Sequence, residues 1–210
     1  MPTADDQSSA VLVKAWRKNE IGFEEVFDRY RKRLRRMVVL RLDVRLSGRI
    51  DPDDVIQDAF VLAFQKIEEY RSRTDELPLF LWLRLVVAER VIELHRRHLG
   101  AKMRDAGREV SIYPGPMPEA SSAALAAQLT GRVTSPSNVA IRAEIRLQVQ
   151  EALNRMDPID REVLTLRNFE LLSNSEAAQV LGISQPAASN RYVKALRRMK
   201  DILSIAQGEG

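Results

Sequence analysis

The stretch that decides the fold is ELLSNSEAAQVLGISQPAASNRYVKALRRMKDIL, which runs from Glu170 to Leu203. Its apolar residues recur at helical spacing on both sides of Gly182, and this predicts two helices joined by a tight turn. The second helix carries all of the lysines and arginines of the stretch. Two helices in this order, with a basic second one, are typical of a helix-turn-helix that reads the major groove of DNA.

Capping residues mark the ends of both helices. Ser173 and Glu176 have the S-x-x-E spacing of a capping box, in which each side chain accepts a hydrogen bond from the other residue's backbone N–H. Gly182 ends the first helix because it tolerates the left-handed backbone. Ser184 is placed to cap the second helix, and Pro186 falls in its first turn, where a missing N–H costs nothing.

The second helix has two faces. Its polar residues near the N-terminus can hydrogen-bond base edges, and its later cations suit phosphates. The alternative is a solvated basic helix on a plain helical core, which the coincidence of cap, glycine and charge disfavours. The residues predicted to pack inward are Ala188, Tyr192, Val193, Leu196 and Met199. Those predicted to face DNA are Gln185, Ala187, Ser189, Asn190, Arg191, Lys194, Arg197 and Arg198.

Composition restricts the class of protein. The 210 residues allow one or two domains, the net charge of +4 favours a polyanionic partner, and there is no cysteine. A chain without cysteine has no disulfides and fits a reducing cytoplasm. The start of the chain is unlike a secretory signal, and the longest apolar run, 77–88, is too short for a membrane span. We therefore expect a cytoplasmic protein without membrane insertion.

No residue pattern indicates an enzyme. His95 and His98 lie one helical turn apart, but no further histidine or cysteine completes a metal site, and the flanking arginines repel a cation. The glycine motifs that bind phosphates are missing, and so is a supported Ser/His/Asp arrangement. We expect no catalytic residue, no metal and no cofactor.

Helical periodicity on both sides of a Pro- and Ser-rich stretch predicts an all-α protein of two helical domains joined by a flexible linker. The linker, 100–138, holds four of the nine prolines and one short helix over 122–129. The second domain is expected to be a helix-turn-helix domain, winged-helix-like, with three to four helices. The predicted domains are 9–99 and 139–206, and the helices expected in the first are 11–18, 22–46, 51–70 and 78–99.

Two surfaces of the first domain stand out. The third helix opens with Asp53, Asp54, Gln57 and Asp58 beside apolar residues, Val55, Ile56 and Phe60, that we predict to be exposed. Either simple helix capping or docking of a basic helical partner accounts for this pattern. The fourth helix combines an aromatic residue with arginines, as platforms for unstacked bases do, although Trp82 taken alone is better explained as core. These residues are Trp82, Arg84, Arg90, Arg96 and Arg97.

With both domains considered, nearly the whole chain resembles the extracytoplasmic-function (ECF) subfamily of the bacterial sigma-70 family of RNA polymerase sigma factors. DPDDVIQDAFVLAF, from residue 51, is similar to the region 2 segment that binds the clamp helices of the polymerase's largest subunit. FLWLRLVVAERVIELHRR, from residue 80, is similar to the segment that melts and captures the minus-ten element, but has Glu89-Arg90 where Arg-Asn is common. The resemblance implies these core-binding residues: Asp53, Asp54, Val55, Gln57, Asp58 and Phe60.

The second domain resembles region 4 of the same family, which reads the minus-thirty-five element and touches the polymerase flap. The domain found between regions 2 and 4 in larger sigma factors is absent here, and the linker replaces it. The residues that match the recognition helix are Gln185, Ala187, Ala188, Ser189, Asn190, Arg191 and Lys194.

The resemblance implies a sigma factor that binds core polymerase, recognises and melts promoters, and is held by an anti-sigma partner. The alternatives are a helix-turn-helix transcriptional regulator and a polymerase-binding adaptor without sigma activity. A regulator with a phosphorylatable receiver domain would need strands that alternate with helices in the first domain, and the sequence of that domain shows no strand pattern.

Overall fold

The chain divides into two compact units, Met1–Met103 and Arg104–Gly210. Every regular element in the described residues is helical, so the all-α prediction is confirmed. The predicted linker at 100–138, with its short helix, lies outside the described residues. The computed structural model describes residues 4–43, 45–46, 48–72, 77–99 and 139–206.

Four helices form the described part of the N-terminal unit. They begin and end close to the predicted positions, except that α1 starts earlier and α2 ends five residues before Leu46. Helix α2 stops because Leu42 adopts extended backbone and Arg45 donates its backbone N–H to the Asp43 carboxylate at 2.9 Å, which forms a turn. The helices are α1 (Ala4–Arg17), α2 (Phe23–Arg41), α3 (Pro52–Ser72) and α4 (Leu79–Leu99).

An aromatic column links three of these helices. The Tyr70 ring of α3 stacks on Trp82 of α4 at 4.7 Å and on Trp16 of α1 at 6.4 Å between centroids. The guanidinium of Arg71 lies 4.4 Å from the centre of the Trp16 ring and donates a hydrogen bond to the Trp16 carbonyl oxygen at 3.1 Å. Burial of three large rings, with a cation over one of them, supplies much of the packing of this unit.

The described part of the C-terminal unit also consists of helices. Asp157 caps α6 by accepting the backbone N–H of Ile159 at 3.1 Å, and Pro158 is the first residue of that helix. Helix α6 changes at Thr165 to a single π-helical turn, a feature often found at functional sites. The elements are α5 (Val139–Asn154), α6 (Pro158–Leu164), the π turn (Thr165–Phe169), α7 (Asn174–Leu181) and α8 (Gln185–Ala206).

Candidate functional site

The turn between α7 and α8 has the predicted capping geometry. The backbone N–H of Glu176 donates to Ser173 Oγ at 3.2 Å, and the backbone N–H of Ser173 donates to Glu176 Oε2 at 2.8 Å, so the capping box is confirmed. Gly182 has φ +64° and ψ +31°, the left-handed conformation expected of a glycine that ends a helix. Ile183 then donates its backbone N–H to the Ala178 carbonyl oxygen at 3.0 Å, which closes the turn.

Helix α8 is held by polar contacts that the sequence analysis missed. The Asn174 side chain donates to the Gln185 carbonyl oxygen at 3.0 Å and so ties the start of α7 to the start of α8. The Tyr192 hydroxyl donates to Asn168 Oδ1 of the π turn at 3.2 Å. The apolar periodicity of the sequence does not indicate the extra residue of the π turn. The contact of Asn174 with α8 could not be predicted either, because the sequence shows only that this residue follows the capping serine.

Most of the predicted DNA contacts lie on the outer face of α8. Ala188 is the exception: it is fully buried, so its side chain cannot contact DNA. The prediction that Val193 packs inward is also wrong, since it is 43% exposed and Ala195 is buried instead. Val193 follows Tyr192 by about 100° around the helix, which carries it off the inward stripe. The exposed candidates are Gln185, Ser189, Asn190, Lys194, Arg197 and Arg198, and the half-buried ones are Ala187 and Arg191.

The outer face of α8 is strongly cationic. From Gln185 to Lys200 the sequence contains no acidic residue. One acid of another helix approaches it: Asp160 of α6, itself buried, lies 3.8 Å from the Arg191 guanidinium. Within the described part of the chain, Lys194 and Arg197 have no acidic partner. This face can therefore offer several cations to a polyanion.

The acidic start of α3 acts partly as a cap. The Asp51 carboxylate accepts the backbone N–H of Asp53 at 2.8 Å, as the predicted capping requires. The Asp53 carboxylate pairs with Arg35 of α2 at 2.9 Å. Asp54, Gln57 and Asp58 are exposed as well, so a partner can reach all three directly.

The apolar part of this face differs from the prediction. Val55 and Ile56 are buried, because the helical period turns both toward the core, so Val55 is not available to bind polymerase. Phe60 is half-buried and packs against Phe23 and Phe27, with ring centroids 5.7 and 5.0 Å away. Its ring therefore belongs mainly to the aromatic core of the unit.

Two other apolar residues of α3 are exposed. Val61 is 49% exposed and Phe64 is 58% exposed. They follow Gln57 by four and seven residues, a spacing that places all three on one face of a helix. The sequence analysis missed them, although continuing the helical period from Gln57 would have found them.

The arginines and the tryptophan of α4 separate into two groups. Trp82 and Arg84 are buried, so neither offers its side chain to DNA in this conformation. Trp82 is a core residue, stacked on Tyr70 as described above. Arg96 and Arg97 are exposed in the last turns of α4 and remain candidates for binding the minus-ten element.

The last candidate, Arg90, is bound by acids. Its Nη2 and Nε donate to Asp58 Oδ2 of α3 at 2.5 and 3.1 Å, and its Nη1 donates to Glu93 Oε2 at 2.8 Å. Glu93 also accepts from Arg97 Nη2 at 2.7 Å. The hydrogen bond to Asp58 raises the pKa of Arg90, and the hydrogen bond from Arg90 lowers the pKa of Glu93. We call these four residues the Arg90 network.

The two histidines of α4 do not form a joint site. His95 is buried, and its Nε2 accepts the backbone N–H of Asp43 at 3.1 Å, whereas His98 is exposed. Burial lowers the pKa of His95. In the described ranges, no group of three histidine, aspartate or glutamate side chains is placed to hold a metal ion.

Comparison with known proteins relates the chain to sigma factors. The family model for Sigma-70, region 4, matches residues 146–199, which include α6, α7 and most of α8. The RNA polymerase sigma factor NccH of Alcaligenes xylosoxydans xylosoxydans is 28% identical over 75% of each chain. The ECF RNA polymerase sigma factor SigD of Mycobacterium tuberculosis is 25% identical over 100% of this chain and 89% of its own. The chain is thus similar to ECF sigma factors over its whole length, and its residues 146–199 match sigma-70 region 4.

A solved structure is also similar to this chain. It is that of the sigma factor RpoE of Bartonella quintana in complex with the anti-sigma factor NepR, with a TM-score of 0.49 and 16% identity over 87% of this chain and 97% of that one. The likeness to sigma factors rests on the sequence matches. Among the helices in the described residues of this chain, none is both long enough and apolar enough to cross a membrane.

Proposed function

We propose that this chain is an ECF sigma factor, which binds the core of bacterial RNA polymerase in the cytoplasm and directs it to promoters. The observation that carries the proposal is the helix-turn-helix of residues 173–206, whose second helix has no acidic residue of its own from Gln185 to Lys200 and presents a cationic face within the segment that matches region 4. The chain itself has no catalytic step in this scheme, because the polymerase joins the nucleotides.

In the C-terminal unit, we assign the reading of the minus-thirty-five element to α8. Its first turns carry Gln185, Ser189 and Asn190, whose amide and hydroxyl groups can donate to and accept from base edges in the major groove. Arg191 and Lys194 follow on the outer face and suit backbone phosphates. The contacts of Asn174 and Tyr192 hold α8 in the orientation that this reading needs.

In the N-terminal unit, we assign polymerase binding to α3 and capture of the minus-ten strand to α4. Asp54 and Gln57 offer polar groups to a basic helical partner, and Phe64 offers an exposed ring beside them. Such a mixed acidic and apolar surface complements the clamp helices that the family resemblance implies. Arg96 and Arg97 are the exposed cations of α4 that can meet DNA phosphates.

The domain limits follow from the same scheme. Residues 9–99 act as region 2, 139–206 act as region 4, and the linker 100–138 sets the distance between the two promoter elements. The flap of the polymerase is the second contact of region 4. An anti-sigma factor would regulate the chain by covering the surfaces that bind polymerase.

The decisive test is reconstitution with bacterial core polymerase. The chain should co-purify with core, and sequencing of RNA made on genomic DNA should give start sites with a shared upstream element. A chain that binds core but starts no specific transcription would be an adaptor. A chain that binds DNA without core would be a regulator. Either result would replace the proposal.

Two substitutions test the division of labour between the units. Arg191→Ala should weaken binding to the upstream element and leave core binding intact, with Arg155→Ala, an exposed arginine outside α8, as the matched control. Asp54→Arg should weaken core binding. Its control is Glu68→Arg, which makes the same charge change 14 residues, about 21 Å, further along α3. If Arg191→Ala and Asp54→Arg lose the same activity, the assignment of the two units is wrong.

A further inference from the structure

Asp58 and Glu93 hold two arginines of α4 in place. Arg90 lies between the two carboxylates, and Arg97 binds the free oxygen of Glu93 at 2.7 Å. The Arg90 side chain is only 15% exposed, whereas Asp58 is 53% exposed. Arg90 is thus fixed by its acidic partners, and one of those partners faces solvent.

The charges of the Arg90 network cancel, because it contains two cations and two anions. The neighbouring acid, Glu89, lies 3.6 Å from Lys66 of α3, so this pair is neutral as well. An arginine whose donors are used by carboxylates has to exchange partners before it binds a phosphate. Surface pairs are weak enough to make such an exchange feasible. In the free chain, therefore, this part of α4 attracts DNA less than its arginine content suggests.

The exposure of Asp58 indicates which partner opens the network. A cationic side chain approaching from solvent meets the Asp58 carboxylate before it meets Arg90, and it can replace Arg90 there. A DNA phosphate approaching the same place is repelled by Asp58 and Glu93. A basic protein surface is therefore a better competitor for Asp58 than DNA is for Arg90.

We propose that Asp58 and Glu93 are positioning residues that keep Arg90 and Arg97 from DNA in the free chain, and that a basic group of polymerase releases Arg90 to the promoter strand by binding Asp58. This inference rests on the proposed function, in which α3 meets polymerase and α4 meets the minus-ten strand. It gives the two events an order, polymerase first and DNA second. It also assigns a role to Glu93, a residue outside the predicted set of site residues: Glu93 holds Arg90 and Arg97 in the free chain.

The test measures binding of the full-length chain to a fluorescein-labelled, single-stranded oligothymidylate by fluorescence anisotropy, across a range of salt concentrations. Asp58→Asn and Glu93→Gln should each bind more tightly than the wild type. The slope of log affinity against log salt should steepen by about 0.7 for each arginine released. Glu68→Gln is the matched control, because it removes the acidic partner of Arg71 in the same unit and changes the net charge equally.

Two results would overturn the inference for the free chain. One is a gain in affinity for the oligothymidylate that is no larger for Asp58→Asn and Glu93→Gln than for Glu68→Gln. Such a result would indicate that the loss of any negative charge in this unit has the same effect. The other is a gain for Asp58→Asn that persists when Arg90→Gln is added, which would show that Arg90 is not the released group. Tryptophan fluorescence of each variant checks folding, since Trp16 and Trp82 both lie in this unit.

The release step is tested by repeating the measurement with saturating core polymerase. Glu93→Gln should then exceed the wild type in affinity for the oligothymidylate by less than it does in the free chain, because polymerase has already separated Arg90 from Asp58 and only the hydrogen bonds to Glu93 remain to be lost. A difference as large as that in the free chain would overturn the release step. If the wild-type chain does not co-purify with core, the proposed function fails, while the free-chain comparison still tests the role of Asp58 and Glu93.

Discussion

Lowering the pH through 6.5 should destabilise the N-terminal unit by protonating His95. This ring is 3% exposed, and its Nε2 accepts the backbone N–H of Asp43, 52 residues away in sequence, at 3.1 Å. A protonated imidazole has two donors and no acceptor, so this hydrogen bond exists only with the neutral ring. Burial holds the pKa of His95 below its ordinary value of 6.5; Asp43 opposes this shift and Arg45 adds to it.

The sign of the effect follows from that shift. Because the pKa of His95 is lower in the folded state, the unfolded chain takes up this proton at the higher pH. The contribution of His95 to the free energy of unfolding is therefore fully present above pH 6.5, and it is lost as the pH drops from 6.5 toward the folded-state pKa. Forcing a proton onto the folded ring leaves a buried N–H of Asp43 without an acceptor, at a cost of about 1–3 kcal/mol.

A second titration in the same loop falls in a separate pH range. Hydrogen bonds from Arg45 lower the pKa of Asp43 from 3.8, despite its burial. The stability contributed by the Asp43 carboxylate is present above pH 3.8 and is lost only as the pH falls through the lowered folded-state pKa. Asp43 therefore does not account for a decrease that begins near pH 6.5.

The assay is urea unfolding at pH values above and below 6.5, followed by tryptophan fluorescence, which reports on this unit because it contains both tryptophans. His95→Gln should be less stable at neutral pH but should lose the pH dependence in this range. His98→Gln, which changes an exposed histidine three residues on, should keep the wild-type profile. If His95→Gln retained the decrease below pH 6.5, another group would be responsible and the reasoning would be refuted.

Three further predictions concern the helix-turn-helix and α3. Gly182→Ala should destabilise the C-terminal unit by about 1–2 kcal/mol, because an alanine is strained in the left-handed backbone of this position. No atom lies within 4 Å of the added Cβ, so no steric clash adds to that cost. Gly182→Asn should cost less, and hydrogen exchange of α7 and α8 measures the loss of stability in both variants. Tyr192→Phe removes the hydrogen bond to Asn168 and should cost about 1 kcal/mol in the same measurement, with weaker promoter binding. Phe64→Ser should reduce affinity for core polymerase in a pull-down with little change in the tryptophan-monitored stability, because the ring is mostly exposed.

The parts of the fold that the sequence predicts are those determined by neighbouring residues. Ser173, Glu176 and Gly182 act within a few residues of one another, so their spacing is sufficient to predict the capping box and the left-handed turn. The inward stripe of α8 was predicted less well, because a small residue such as Ala195 gives a weak apolar signal while Val193 gives a strong one. Burial depends on which side of the helix meets its neighbours, and hydrophobicity alone did not locate that side.

The contacts missed from the sequence are those made between helices. Asp58 and Arg90 are 32 residues apart, and their pairing depends on how α3 and α4 pack. The sequence patterns marked both as charged candidates, but they assigned Asp58 to polymerase and Arg90 to DNA, two different partners outside the chain. The same reason applies to His95. Its spacing from His98 raised only the question of a metal pair, which was excluded, but its actual partner is the backbone N–H of Asp43 in the loop after α2.

The Arg90 network also determines which substitutions can separate the two activities of the N-terminal unit. Asp58 faces solvent on α3, but its carboxylate is also the partner of Arg90 on α4. Any change at Asp58 therefore alters the predicted polymerase surface and the predicted DNA surface together, so a loss of transcription could not be assigned to either. Asp54 lies on the same exposed face and has no acidic or basic partner among the described residues. Substitution of Asp54 therefore tests polymerase binding alone, and comparison with Asp58→Asn isolates the contribution of Arg90.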